Sequence, residues 1–150
     1  MINRRQTLFL VLALALMVAF FFVPFGYNVD TIKSEEMFIE QPLTALNQGI
    51  ALIAPVALAL VCIVAAIFLY KSLSSQKALI VVAALFVGAT VGIVVYYLTA
   101  GYSDTNPDIA IRTVWGGGGL LLVATLIALF AAWKDITHDQ KILRSYERLR

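Results

Sequence analysis

Four long apolar segments divide the chain, and none of them contains Asp, Glu, Lys, Arg or His. They cover residues 7–23, 49–70, 78–98 and 114–133. A helix needs about 20 apolar residues to cross roughly 30 Å of hydrocarbon, and an isolated strand would leave its backbone groups unpaired in lipid. The pattern therefore predicts an all-α membrane protein, with an antiparallel bundle of four transmembrane helices in a single domain over 1–150.

Basic residues predict how the four spans are oriented, because cytoplasmic flanks of membrane proteins carry an excess of Lys and Arg. Nine lie on one side of the predicted membrane: Arg4, Arg5, Lys71, Lys77, Lys134, Lys141, Arg144, Arg148 and Arg150. Only Lys33 and Arg112 lie on the other side. We therefore expect both termini in the cytoplasm. The first span, which follows Arg4 and Arg5, could also be read as a signal peptide, but no small-residue cleavage site follows it, so we expect an uncleaved anchor.

The longest loop predicted outside the cytoplasm, 24–48, contains two short strand-like segments. Residues 25–30 alternate between apolar and small or polar side chains, and 36–40 is a second candidate. The sequence thus predicts a small β-hairpin in the first extracytoplasmic loop. Pro42 would then be the first residue of a helix that enters the second span. The other outer loop, 101–113, contains the Asp, Asn and Pro residues that are typical of turns.

Small residues within the spans indicate where helices approach closely, since helices in lipid associate mainly through packing. Gly88 and Gly92 lie four residues apart in the third span, and a run of four glycines, 116–119, opens the fourth. We hypothesise that these spans cross closely, with Gly88 and Gly92 facing Gly116 and Gly119. The run could instead act as a hinge. Pro55 removes a helical hydrogen bond in the second span and should kink it there.

The segment 134–150 is predicted to be an amphipathic helix rich in Lys and Arg. It could lie against anionic lipid headgroups as a continuation of the fourth span. It could also dock a cytoplasmic partner, or be a basic stop signal that is merely helical. These three interpretations remain open.

Composition indicates the class of protein, and it offers few residues that could carry out a reaction. The chain of 150 residues is 61% hydrophobic and 13% charged, whereas soluble domains are about 45–50% apolar and 25% charged. A net charge of +2 gives no reason to expect nucleic acid as a partner. Ionisable residues within spans usually mark ion or proton paths, and these spans contain none. Cys62 has no nearby base, and the single histidine, His138, lies in the tail. We expect no enzymatic activity, no cofactor and no metal.

The two ends of the chain carry a resemblance to a known family. They read MINRRQTLFL at 1–10 and DQKILRSYERLR at 139–150. Together with the four spans and the length, they resemble an uncharacterised family of four-helix integral membrane proteins of Bacteroidota, classed as a domain of unknown function. The resemblance implies a multi-pass protein of the bacterial inner membrane. It supplies neither an activity nor site residues.

The function hypothesis follows from these features. We expect a non-catalytic membrane protein of unknown process, a scaffold or accessory subunit that is surrounded by membrane lipids and binds other membrane proteins or itself. The alternative is a lipid or small-solute carrier that acts as an oligomer, with an uncharged path near Pro55 and the outer glycines.

Overall fold

The computed structural model describes residues 3–32, 37–46, 49–69, 71–100 and 109–148. Within them the elements follow in the order α1 (Asn3–Phe22), β1 (Gly26–Ile32), β2 (Met37–Leu43), α2 (Ile50–Phe68), α3 (Leu73–Ala100), β3 (Ile109–Trp115) and α4 (Gly118–Arg148). Each of the four helices is long and apolar enough to cross a membrane, judged by length and composition. The fold is that of a four-helix integral membrane protein, as the apolar segments predicted.

Several helix bounds differ from those of the predicted spans, and α1 begins at Asn3 rather than at 7. α3 begins at Leu73, before the predicted 78, and α4 begins at Gly118 rather than at 114. α4 has 31 residues, which correspond to about 46 Å at 1.5 Å per residue. Because that length exceeds the hydrocarbon thickness, the charged segment from Lys134 onward extends beyond the span as part of the same helix. The tail is therefore a helical continuation of α4 through Arg148.

The four helices form a ring. α1 packs against α4 and α2, and α3 packs against α2 and α4. Each helix turns one stripe of residues, three or four apart, toward the common core. On α2 this stripe is Leu52, Val56, Ala59, Ile63 and Ala66. Many large apolar side chains outside the stripes, such as Leu8 and Phe22, are exposed, as expected for a bundle whose solvent is lipid.

A three-stranded antiparallel sheet lies at one end of the bundle, in the order β2-β1-β3. β1 and β2 form the predicted hairpin, with Gly26 paired to Leu43 and Ile32 paired to Met37. Pro42 does not start a helix as we had expected. It lies in β2, an edge strand, where the missing amide hydrogen is tolerated. α2 begins instead at Ile50.

β3 was not predicted. It pairs with β1 from Gly26↔Trp115 to Ile32↔Ile109, and the sequence analysis had assigned its last residues to the fourth span. Because β3 runs directly into the glycine run and α4, its apolar residues looked like the start of the helix. The turn expected in the same loop falls at 101–108, which lies outside the described residues.

The sheet end of the bundle is the end at Pro24, Leu43 and Gly116, and the polar end is the opposite one, at Gln6, Gln76 and Asp139. At the sheet end, Phe25 is fully buried, and its ring stacks on Phe20 with 6.2 Å between the centroids. Phe25 thereby closes the core just where α1 passes into β1.

Candidate functional site

Glycines at the sheet end bring two backbone segments into direct contact. The amide of Gly116 donates to the carbonyl of Phe25 at 2.8 Å, and that of Gly118 donates to the carbonyl of Pro24 at 3.0 Å. A Cβ on Gly116 would lie 2.6 Å from the Pro24 oxygen, and one on Gly118 would lie 2.8 Å from the Val23 oxygen. These are backbone atoms and cannot swing aside. Gly116 and Gly118 therefore permit α4 to start against the connection between α1 and β1.

The predicted crossing of glycines between the third and fourth spans is wrong. Gly88 and Gly92 are exposed on α3, and no atom lies within 4 Å of the place where a Cβ would be on either of them. Gly119 is likewise open, and Gly116 meets the α1–β1 connection instead of α3. The physical reason is that larger side chains fill the core stripe of α3, so its glycines lie on the outer face.

Pro55 lies within α2, which continues from Ile50 to Phe68 without interruption, and it is half-buried. Its ring leaves the carbonyl of Ala51 without the usual helical donor. A kink at this position remains a prediction.

The polar end joins α1 to α4 through a buried side chain. Gln6 is 3% exposed, and its Nε2 donates to Oδ2 of Asp139. Both residues extend the core stripes of their helices. Gln6 lies four residues before Leu10, and Asp139 lies three residues after Ile136, and Leu10 and Ile136 are both fully buried. The hydrogen bond thus forms the last layer of contact between these two helices.

Charged residues surround this hydrogen bond. Together with Gln6 and Asp139, a small cavity of about 130 Å³ is lined by Arg5, Asp135 and His138. Desolvation raises the pKa of Asp139 above its ordinary value of 3.8, and the charge of Asp135 adds to the rise, while His138 and the Gln6 hydrogen bond oppose it. Asp139 lies beyond Lys134, outside the spanning part of α4. Asp139 can therefore exchange a proton with water at this end of the bundle.

Gln76, in the first turns of α3, is a second buried glutamine at the polar end. It is 2% exposed and lies four residues before the buried Ile80. Its Oε1 has no hydrogen-bond partner among the residues that the structure describes. A buried acceptor without a donor costs about 1–3 kcal/mol. Gln6 and Gln76 are thus buried to the same extent. Gln6 donates a hydrogen bond to Asp139, whereas Oε1 of Gln76 accepts none from the described residues.

An apolar groove with a volume of about 490 Å³ lies between α3 and α4. We call it the α3–α4 groove; it is lined by Ile80, Val81, Ala84, Leu85, Leu126, Leu129, Phe130 and Trp133. Phe130 and Trp133 stack with 6.0 Å between ring centroids and form one wall. At the polar-end mouth, Nζ of Lys77 lies 5.0 Å from the centroid of the Trp133 ring.

Within the described residues, no group of three or more His, Cys, Asp or Glu residues could hold a metal ion. Cys62 is half-buried in α2. The buried hydroxyls of Thr90 and Thr125 donate to the carbonyls of Phe86 and Leu121 at 2.9 and 2.7 Å, so both are satisfied within their own helices.

Sequence reasoning missed the residues that matter most at the polar end. Gln6 and Asp139 are 133 positions apart, and no local pattern pairs them. One signal was available for Gln6 and Gln76, because each continues an apolar stripe by one helical step where a polar residue is unexpected. His138, which the sequence places in the tail, is exposed, yet it also lines the small cavity.

The fold and these sites define a multi-pass membrane protein whose described interior is mainly apolar, with a hydrogen bond between Gln6 and Asp139 at one end. The chain belongs to a family described as a domain of unknown function, DUF4293, whose model matches residues 2–149. This match agrees with the resemblance that the two ends of the sequence carried. No curated protein matches the chain.

Proposed function

We propose that this protein is a non-catalytic scaffold or accessory subunit that binds another membrane protein through α3. The observation that supports this proposal is the open face at Gly88 and Gly92. Both glycines are exposed, and neither would contact another atom within 4 Å if it carried a Cβ. Nothing inside the described bundle requires glycine at these two positions.

Glycine at four-residue spacing has a physical use on a lipid-facing helix. Each glycine in a helix costs about 1 kcal/mol relative to alanine. The same glycines let a second helix approach closely enough for its backbone to pack against α3, which drives association in lipid. A scaffold function accounts for this cost, because the compensating contact is made with a partner. The family description gives no activity that competes with this proposal.

In this proposal the protein lies in a bacterial inner membrane, with the polar end in the cytoplasm. The resemblance to Bacteroidota proteins and the nine basic residues near that side support this placement. The alternative function, a lipid or small-solute carrier, would draw support from a polar cavity near Pro55. The α3–α4 groove is apolar, and neither Pro55 nor the glycine run lines it.

The test is purification of the tagged full-length protein from native membranes in a mild detergent, followed by mass spectrometry. We expect a membrane protein to co-purify in stoichiometric amount, and we expect the double variant Gly88→Ile, Gly92→Ile to lose it. The bulky side chains would hold a partner helix away, and no atom lies within 4 Å of where their Cβ atoms would be.

Two matched controls place the same bulk on other helices. Ala15 on α1 and Ala54 on α2 are also small and exposed. Ala15→Ile and Ala54→Ile should retain the partner. If the glycine variant retains it too, or if wild-type protein emerges as a monomer without any membrane protein, the proposal is wrong. Recovery of a second copy of the chain alone would identify the partner as the protein itself.

A further inference from the structure

The α3–α4 groove has the shape and surface of a site for hydrocarbon. Its walls on α4 extend from Leu126 to Trp133, which is about 10 Å along a helix. Its volume of about 490 Å³ is within the range of roughly 300–1,000 Å³ that is usual for small-molecule sites. All eight lining side chains are apolar or aromatic. Because the groove lies within the apolar lengths of both helices, an acyl chain suits it better than a polar solute.

A positive charge stands at one mouth of this groove. Lys77 precedes Ile80 by three residues. Its ammonium lies over the ring of Trp133, and Trp133 itself lines the groove. Among the described residues, no carboxylate forms an ion pair with Lys77. Lys134, next to Trp133 in sequence, is exposed at the same end. The ammonium of Lys77 is therefore available to an anion that approaches from the headgroup level.

We propose that the α3–α4 groove binds one acyl chain of an anionic phospholipid, with Lys77 at its phosphate. A net negative headgroup complements Lys77 and Lys134, whereas a zwitterionic headgroup brings a cation of its own toward them. The polar end is the predicted cytoplasmic end, and anionic lipids give the cytoplasmic leaflet its negative surface potential. Gly88 and Gly92 continue the same face of α3 beyond Ala84 and do not line the groove. The proposal does not depend on the scaffold function.

The experiment is native mass spectrometry of the full-length protein in a neutral detergent. The protein is titrated with phosphatidylglycerol and, separately, with phosphatidylcholine that has identical acyl chains. We expect the first phosphatidylglycerol to bind at least about fivefold more tightly, the order expected for one basic residue near a membrane surface. Lys77→Gln should abolish this preference, and Lys77→Arg should keep it.

Three further variants distinguish binding in the groove from a general effect of charge near the membrane. Lys71 is exposed at the same end and does not line the groove, so Lys71→Gln should leave the preference unchanged. Ala84→Phe fills the groove and should weaken binding of both lipids, whereas Ala54→Phe on α2 should not. Equal binding of the two lipids by wild-type protein would overturn the proposal. So would an equal loss in Lys71→Gln and Lys77→Gln, or unchanged binding by Ala84→Phe.

Discussion

The two ends of the bundle are closed by different means. At the sheet end, main chain meets main chain, with Gly116 and Gly118 donating to the carbonyls of Phe25 and Pro24. At the polar end, the contact between α1 and α4 is made by the side chains of Gln6 and Asp139. The same two helices are therefore joined by backbone at one end and by side chains at the other.

This difference predicts different sensitivities. Backbone contact leaves no room for an added atom, but it contains no group that titrates. Side-chain contact can adapt to a change of shape, but its energy depends on hydrogen bonding and on the charge of Asp139. Substitutions that change the size of a residue should therefore destabilise the protein mainly at the sheet end. Substitutions that change polarity, and changes of pH, should affect stability mainly at the polar end.

The largest effect is expected from adding one methyl group at the sheet end. Gly116→Ala or Gly118→Ala places a Cβ within 3 Å of backbone atoms of the α1–β1 connection. Overpacking usually costs about 1–3 kcal/mol, and we expect the upper part of that range because backbone must move. Thermal unfolding of the protein in detergent micelles, monitored by circular dichroism, measures the loss.

The same glycine run supplies the controls. Gly117 and Gly119 have open space where a Cβ would lie. Gly117→Ala should be close to neutral, and Gly119→Ala should gain up to about 1 kcal/mol from helix propensity. If all four alanine variants unfold alike, the run acts as a hinge or a general flexible segment, and the contrast between the two ends fails.

The second effect compares two buried glutamines at the polar end. Gln6→Met leaves Asp139 without its donor and should cost about 1–3 kcal/mol. Gln76→Met removes a buried oxygen that has no partner in the described part of the chain, so it should be neutral or stabilising. Methionine approximates the shape of glutamine in both cases. Unfolding in detergent of the two variants gives the comparison directly.

The sign of the difference decides this test. Similar losses in both variants would mean that packing, rather than hydrogen bonding, sets the contribution of each glutamine. A gain from Gln6→Met would mean that the bond to Asp139 does not stabilise the polar end.

The spans were predictable because lipid imposes both a length and a secondary structure on any segment that crosses it. The hairpin was predictable from its period of two. β3 was not, since its apolar residues run directly into the glycines and α4. The glycines show the limit most clearly: the sequence indicates that Gly88 and Gly116 are small, but it does not say what approaches them. Gly116 meets backbone of the α1–β1 connection, and Gly88 meets nothing within 4 Å.

The smallest effect is expected from the titration of Asp139. Its pKa is raised by desolvation and by Asp135, so the folded protein holds this proton more tightly than the unfolded chain does. The stabilising contribution is complete below the ordinary value of 3.8 and is lost as the pH rises through the raised pKa. Asp139→Asn retains an acceptor for Gln6 and removes the titration.

The stability of wild-type protein relative to Asp139→Asn should therefore fall as the pH rises from below 3.8 through the raised pKa. Measuring both proteins at each pH cancels the titration of groups that do not interact with Asp139. The difference that remains is the titration of Asp139 together with its interactions with Asp135 and His138. Gly118→Ala, measured over the same range, should differ from wild type by a constant amount, because no titrating group takes part in the sheet-end contact. A wild-type protein that gains stability over Asp139→Asn with rising pH would mean that Gln6 and His138 outweigh desolvation. The polar end would then be stabilised by the carboxylate, and its pH dependence would have the opposite sign.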